Sequence, residues 1–115
     1  MSPTVLVVDD EENIRSTVGL FLRERGFTVH TAASGEAALD RVRERPVDAV
    51  ILDLKLPGIG GIETMARLHR LQPRLPILII TAFGSIPSAV DAMRRGSHDY
   101  IAKPFRNEDL LIRLE

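Results

Sequence analysis

Short continuous apolar runs alternate with stretches of helical spacing along the whole chain. Residues 5 to 8, all valine or leucine, form an unbroken apolar run, the pattern of a strand buried on both faces. From Ile14 to Arg25 the apolar residues Ile14, Val18, Phe21 and Leu22 recur at helical spacing, and Gly26 supplies a stop. Residues 27 to 31, β-branched and aromatic, predict a second strand. Ser34 is placed to cap a helix carrying Ala38, Leu39 and Val42, with Pro46 beyond its end. Residues 49 to 52 predict a third strand, and Gly58, Gly60 and Gly61 a flexible loop. Ile62, Met65, Leu68 and Leu71 form the next helical stripe, followed by Pro73 and Pro76 in a turn. Residues 77 to 80 predict a fourth strand.

Ser85 can cap a fourth helix with Pro87 at its second position, where a missing N–H costs little. Val90 and Met93 are expected to face inward, and Gly96 to end that helix. Residues 100 to 102 predict a short fifth strand, and Asn107 a cap for a last helix with Leu110, Leu111 and Leu114. Five alternating β-α units imply a parallel sheet with helices on both faces and right-handed crossovers. The expected fold is α/β, a flavodoxin-like (βα)5 three-layer sandwich with strand order 2-1-3-4-5. The last helix stops at Glu115 without a terminating signal. Residues 1–115 are therefore expected to be a single domain, the N-terminal part of a longer protein.

The chain has 115 residues, one domain's worth, with 44% hydrophobic residues and a formal net charge of −1. That charge gives no field directed at nucleic acid or an anionic membrane. Without cysteine there are no disulfides or thiolate metal sites. The N-terminus lacks a signal-peptide pattern, and no apolar run approaches a membrane span of about 18 residues. A cytoplasmic location is expected. The only lysines are Lys55 and Lys103.

The chemistry lies where the apolar runs end. Asp9 and Asp10 follow the first, Asp53 the third, Thr81 the fourth and Lys103 the fifth. On a parallel sheet these groups converge at the carboxyl edge, where open α/β sheets bind ligands. Asp9 and Asp10 could serve only as caps of the first helix. With Asp53 beside them they make an all-oxygen cluster suited to a hard cation, and magnesium fits because it accepts phosphate oxygens as well. A carboxylate next to such a cation can attack phosphorus and form an acyl phosphate. In that reading Asp53 is the nucleophile, Lys103 binds a phosphoryl oxygen as a point charge, and Thr81 donates its hydroxyl to another.

The segments VLVVDDEEN, AVILDLKLPGIGGIE, ILIITAFGS and DYIAKPF together resemble the receiver domain of two-component response regulators, the CheY-like superfamily, and cover essentially the whole chain in order. The stretch from TAFGS to DYIAKPF is most similar to the NtrC-like subgroup. The resemblance implies Asp53 as phosphoacceptor, with Mg2+ held by Asp9, Asp10, Asp53 and the backbone carbonyl of Lys55. It implies Thr81 and Lys103 as the phosphoryl-sensing pair and Tyr100 as the switch aromatic. It further implies a histidine kinase or phosphotransfer protein as donor, and a downstream output domain, an AAA+ ATPase with a DNA-binding domain, as target. Homodimerisation on activation is expected, with no direct nucleic-acid or membrane contact by this domain. No turnover of a free substrate is expected, only self-catalysed phosphorylation and dephosphorylation of the aspartate. Gly60 stands where the family often has an acid, usually a helix cap.

Competing readings are a degenerate receiver acting as an unphosphorylated interaction module, an aspartyl-phosphate phosphatase and a small flavin carrier. Lys55 stands where such phosphatases place a second acid, and the first loop lacks a phosphate cradle for flavin. His30, His69 and His98 have no metal-ligand spacing and are expected at the surface or sheet edge. Arg94 and Arg95 could meet an acidic partner or form a solvated face. Phe83 and Lys55 flank the site and could slow acyl-phosphate hydrolysis by crowding water.

Overall fold

The structure, a computed structural model, describes residues 2–82 and 86–114, apart from the side chains of Ile86 and Ser88. The elements alternate as β1 (Thr4–Val8), α1 (Glu12–Glu24), β2 (Thr28–Ala32), α2 (Gly35–Glu44), β3 (Ala49–Asp53), α3 (Gly60–Leu71), β4 (Ile77–Ala82), α4 (Ile86–Arg94), β5 (Asp99–Lys103) and α5 (Asn107–Leu114). All strand pairs are parallel, in the order β2-β1-β3-β4-β5. That is the expected flavodoxin-like order. Among the described residues, no helix is long and apolar enough to cross a membrane.

Strand alternation divides the apolar residues into two cores. Leu6, Val8, Val50, Leu52, Ile77 and Ile79 pack with Leu39, Val42, Met65 and Leu68 of α2 and α3 and with Ala92 of α4. Val5, Val7, Ile51, Leu78, Ile80 and Ile101 pack with Val18 and Leu22 of α1 and Leu110 of α5. Both strand faces are covered, so β1 and β3 contain almost no polar residue until they reach the edge.

Several local expectations hold. Gly26 takes a φ of 93° just past α1, in the left-handed region that glycine enters freely. The Ser34 hydroxyl accepts the Ala37 N–H at 3.1 Å, an N-cap worth about 1 kcal/mol.

Four expectations need correction. Gly60 and Gly61 begin α3 instead of forming a loop. Leu71, on the expected α3 stripe, is exposed at the helix end. Asn107 is the first residue of α5, not its cap, since the helix begins there. Val90 and Met93 are 40% and 37% exposed, and Ala89 and Ala92 turn inward in their place. Residues 89 and 92 have the same spacing as 90 and 93, so periodicity alone could not choose between the stripes. The small side chains let α4 lie close to the sheet. Ser85 and Phe83, expected as a cap and as a residue flanking the site, lie outside the described residues.

The histidines sit at margins. Nε2 of His69 lies 3.0 Å from the Leu75 carbonyl. His30 lies on β2, at one end of the strand order. Burial, then the charges of Arg41, Arg23 and Arg45, lower its pKa below the usual imidazole value. Arg95 pairs with Asp91 at 2.9 Å on the surface, a contact of small energetic weight.

Candidate functional site

The carboxyl ends of β1, β3, β4 and β5 meet at one edge of the sheet. Asp9 follows β1, Asp53 ends β3, Thr81 is the fifth residue of β4 and Lys103 ends β5. Each polar residue sits at or near the point where its strand leaves the buried sheet. Alternation gives them two directions. Asp53 shares the face of Ile51, and Lys103 that of Ile101, toward α1 and α5. Thr81 shares the face of Ile77 and Ile79, toward α3 and α4. Tyr100 shares that second face, half-buried against the same core. Thr81 pairs with Ala102 and Ile79 with Tyr100, so Thr81 and Tyr100 are diagonal neighbours on adjacent strands.

Asp9, Asp10 and Asp53 each offer an oxygen within 4.8 Å of the others. Asp9 and Asp53 are buried and Asp10 is exposed. Asp9 Oδ1 accepts the Glu11 N–H at 2.9 Å, and Asp53 Oδ1 accepts the Lys55 N–H at 3.1 Å. Each carboxylate is therefore oriented by the backbone two residues on. The Lys103 ammonium lies 2.9 Å from Asp9 Oδ2, 3.3 Å from Asp53 Oδ2 and 3.4 Å from Glu11 Oε1. The Asp9 contact is ionic and out of line for a hydrogen bond.

One ammonium shared among several acids leaves them under-compensated. Burial, together with the Asp9 charge, raises the Asp53 pKa above the usual carboxylate value, although the Lys55 N–H and Lys103 oppose this. Burial works against the charged form of Lys103, but Asp9 and Asp53 outweigh it and its pKa is raised. Negative charge around a single cation contributes to both shifts, behind burial for Asp53 and against it for Lys103.

Among the described residues the buried Thr81 Oγ1 has no hydrogen-bond partner, and Asp9 Oδ2 has only the ionic contact of Lys103 at 2.9 Å. Buried polar atoms are ordinarily satisfied, and leaving one without a partner costs about 1–3 kcal/mol. Both residues lie at the same edge of the sheet. A hard divalent cation among the acids would satisfy Asp9 Oδ2, and an anion beside Asp53 would receive the Thr81 hydroxyl. The donor set is all oxygen, as Mg2+ requires, so the residues present fit that ion. The Lys55 side chain is exposed and points no charge into the cluster that the structure records.

The sequence reading missed two contributors. Glu11 reaches Lys103 from the residue before α1, and Arg15 Nη1 donates to the Asp9 carbonyl at 2.8 Å. Their four-residue spacing is the signal that could have found them, because it puts both at the start of α1 beside the sheet edge. Gly61 is a third. Its N–H donates to the Leu54 carbonyl at 3.1 Å, and a Cβ there would lie 2.6 Å from the Asp53 carbonyl oxygen. Beside the cluster, a cavity of about 500 Å3 opens between α1 and the β5–α5 connection, with Glu11, Ile14, Lys103 and Phe105 in its wall.

The chain is similar to known proteins over nearly its whole length. A putative NtrX-like response regulator of Rickettsia typhi is 42% identical over 113 residues, covering 96% of this chain and 24% of that protein. NtrX from Brucella abortus superposes with a TM-score of 0.92 at 36% identity, over 97% of this chain and 25% of that one. A putative response regulator from Chloroflexus aurantiacus gives a TM-score of 0.93 at 39% identity, with 99% and 95% of the two chains covered. The chain thus spans about a quarter of the length of the NtrX relatives. Receiver domains as a class hold Mg2+ in an acidic pocket such as this one. Residues 5–115 match the response regulator receiver domain, and with an oxygen cluster, a lysine and a threonine at the sheet edge the chain belongs to that family.

Proposed function

We propose that this chain is a phosphorylation-activated receiver, with Asp53 as the phosphoryl acceptor. The observation that carries the reading is the convergence of Asp9, Asp10 and a buried, backbone-oriented Asp53 at one sheet edge, with the Lys103 ammonium 3.3 Å from Asp53. Asp9, Asp10, Asp53 and the backbone carbonyl of Lys55 would hold Mg2+. Bound there, the ion supplies the charge neutralisation that phosphoryl transfer requires.

The chain's residues divide the rest of the work. A carboxylate oxygen of Asp53 attacks phosphorus as the bond to the donor breaks. The leaving group departs with the bonding electrons, an imidazole nitrogen of a histidine kinase or phosphotransfer protein, or acetate from acetyl phosphate. The Lys55 N–H and the Lys103 ammonium favour the Asp53 anion and offset part of the effect of burial and of the Asp9 charge. Lys103 then follows the new negative charge onto a phosphoryl oxygen. The Thr81 hydroxyl, which has no partner among the described residues at rest, donates to another. Hydrolysis of the acyl phosphate returns the site to its starting state. No free substrate is turned over.

Thr81 carries the signal to the opposite face of the sheet. Its movement toward the phosphoryl vacates space diagonal to Tyr100, whose ring can then turn further inward. The face of α4, β5 and α5 would change with it, a two-state element biased by local charge. The unit spanning residues 1–115 would serve a longer cytoplasmic transcriptional regulator, whose output is an AAA+ ATPase with a DNA-binding domain, through homodimerisation.

Tyr100 is the only tyrosine and there is no tryptophan, so intrinsic fluorescence reports this residue alone. Mg2+ with beryllofluoride should change the emission of the wild-type chain and leave that of Asp53→Asn unaltered. Identical responses from the two proteins would sink the proposal.

A further inference from the structure

Lys103 carries three N–H donors and faces three carboxylates at rest, Asp9 at 2.9 Å, Asp53 at 3.3 Å and Glu11 at 3.4 Å. In the receiver reading, on which this inference rests, two of these acids have other duties. Asp9 turns to the metal and Asp53 takes the phosphoryl. Glu11 has none. It lies outside the group of acids close enough to share an ion.

The local backbone explains why its side chain is available. Glu11 precedes α1 with an extended conformation, φ −84° and ψ 115°, the position from which a short polar side chain would cap the helix. Its carboxylate makes no cap hydrogen bond. It crosses to the end of β5 and meets Lys103 instead. The side chain is 60% exposed, against 16% for Lys103, so it meets the ammonium from the solvent side. Asp9 and Asp53 meet it from within.

We infer that Glu11 is a positioning residue for Lys103, a resting-state acceptor that competes with the phosphoryl group for the ammonium. Each donor that Glu11 retains is withheld from a phosphoryl oxygen, so the contact holds the domain toward its unmodified state. The competition is screened because Glu11 is largely in water, which limits its size.

The test is calorimetric titration of the whole chain with beryllofluoride at saturating Mg2+, for wild type, Glu11→Gln and Glu11→Asp. The shorter aspartate keeps the charge and loses the reach. Both variants should bind about two- to fivefold more tightly than wild type. The 15N resonance of the Lys103 ammonium should also shift in both metal-free variants, a change that loss of a purely structural contact elsewhere would not produce. Unchanged or weaker binding by Glu11→Gln would overturn the inference, as would an unmoved resonance. Tighter binding by Glu11→Gln with wild-type binding by Glu11→Asp would overturn it too, by assigning the effect to charge at a distance. A wild-type chain that binds no beryllofluoride would remove the receiver chemistry itself, and the inference with it. Wild-type binding with unaltered variants would remove only the role of Glu11.

Discussion

Asp9→Asn should raise the stability of the metal-free chain by about 1 kcal/mol and abolish the stabilisation that Mg2+ gives the wild type. The site holds three acids around a single ammonium, and Asp9 is completely buried. Removing one partner of a balanced buried pair strands a charge and destabilises. Here the balance is uneven, because Lys103 keeps Asp53 and Glu11 after Asp9 is neutralised. The amide oxygen can still accept the Glu11 N–H, so the backbone at the start of α1 stays tied. What disappears is the repulsion that also raises the Asp53 pKa. Urea unfolding with and without Mg2+ checks both halves. A loss of stability comparable to a core truncation, or a retained response to Mg2+, would contradict this account of the charge balance.

Gly61→Ala should cost about 2–4 kcal/mol and also suppress phosphorylation. An alanine Cβ would lie 2.5 Å from the Leu54 Cα, 2.6 Å from the Asp53 carbonyl oxygen and 2.9 Å from the Leu54 carbonyl oxygen. These are backbone atoms and cannot rotate away. The start of α3 would have to move off β3, carrying the acceptor's own peptide with it. Gly60→Ala is the informative control. A Cβ at Gly60 meets nothing within 4 Å, but its φ of 75° penalises any side chain. That variant should cost about 1 kcal/mol and leave the Asp53 geometry alone. Equal phosphorylation in both variants would show that the Gly61 contact does not position the acceptor.

The parts of the site that end a strand were readable from the amino-acid order. Asp9, Asp53, Thr81 and Lys103 each close an apolar run, and a parallel sheet leaves such residues only one place to gather. The two directions in which they point follow from strand alternation once the register is known. Register decides that Thr81 and Tyr100 are diagonal neighbours, and no local pattern states it. Gly61 was misread for a related reason. A glycine-rich segment signals a loop, but the need for glycine here comes from the backbone of Asp53, eight positions earlier in the chain. Helical spacing fits Val90 and Met93 facing inward as well as it fits Ala89 and Ala92. The close approach of α4 selected Ala89 and Ala92, an outcome that depends on inter-element distance and not on periodicity. By sequence alone, nothing sets Glu11 apart from Glu12 beside it. The contact of Glu11 with Lys103 spans 92 positions and exists only in the folded chain.

The central claim, that Asp53 accepts a phosphoryl group, is tested most directly by intact-mass measurement after incubation with Mg2+ and acetyl phosphate. The wild-type chain should gain the mass of one phosphoryl group and lose it on treatment with hydroxylamine, as an acyl phosphate does. Asp53→Asn, with an amide that cannot act as the nucleophile, should gain nothing. A wild-type chain that stays unmodified, or an Asp53→Asn chain that gains the same mass, would contradict the account.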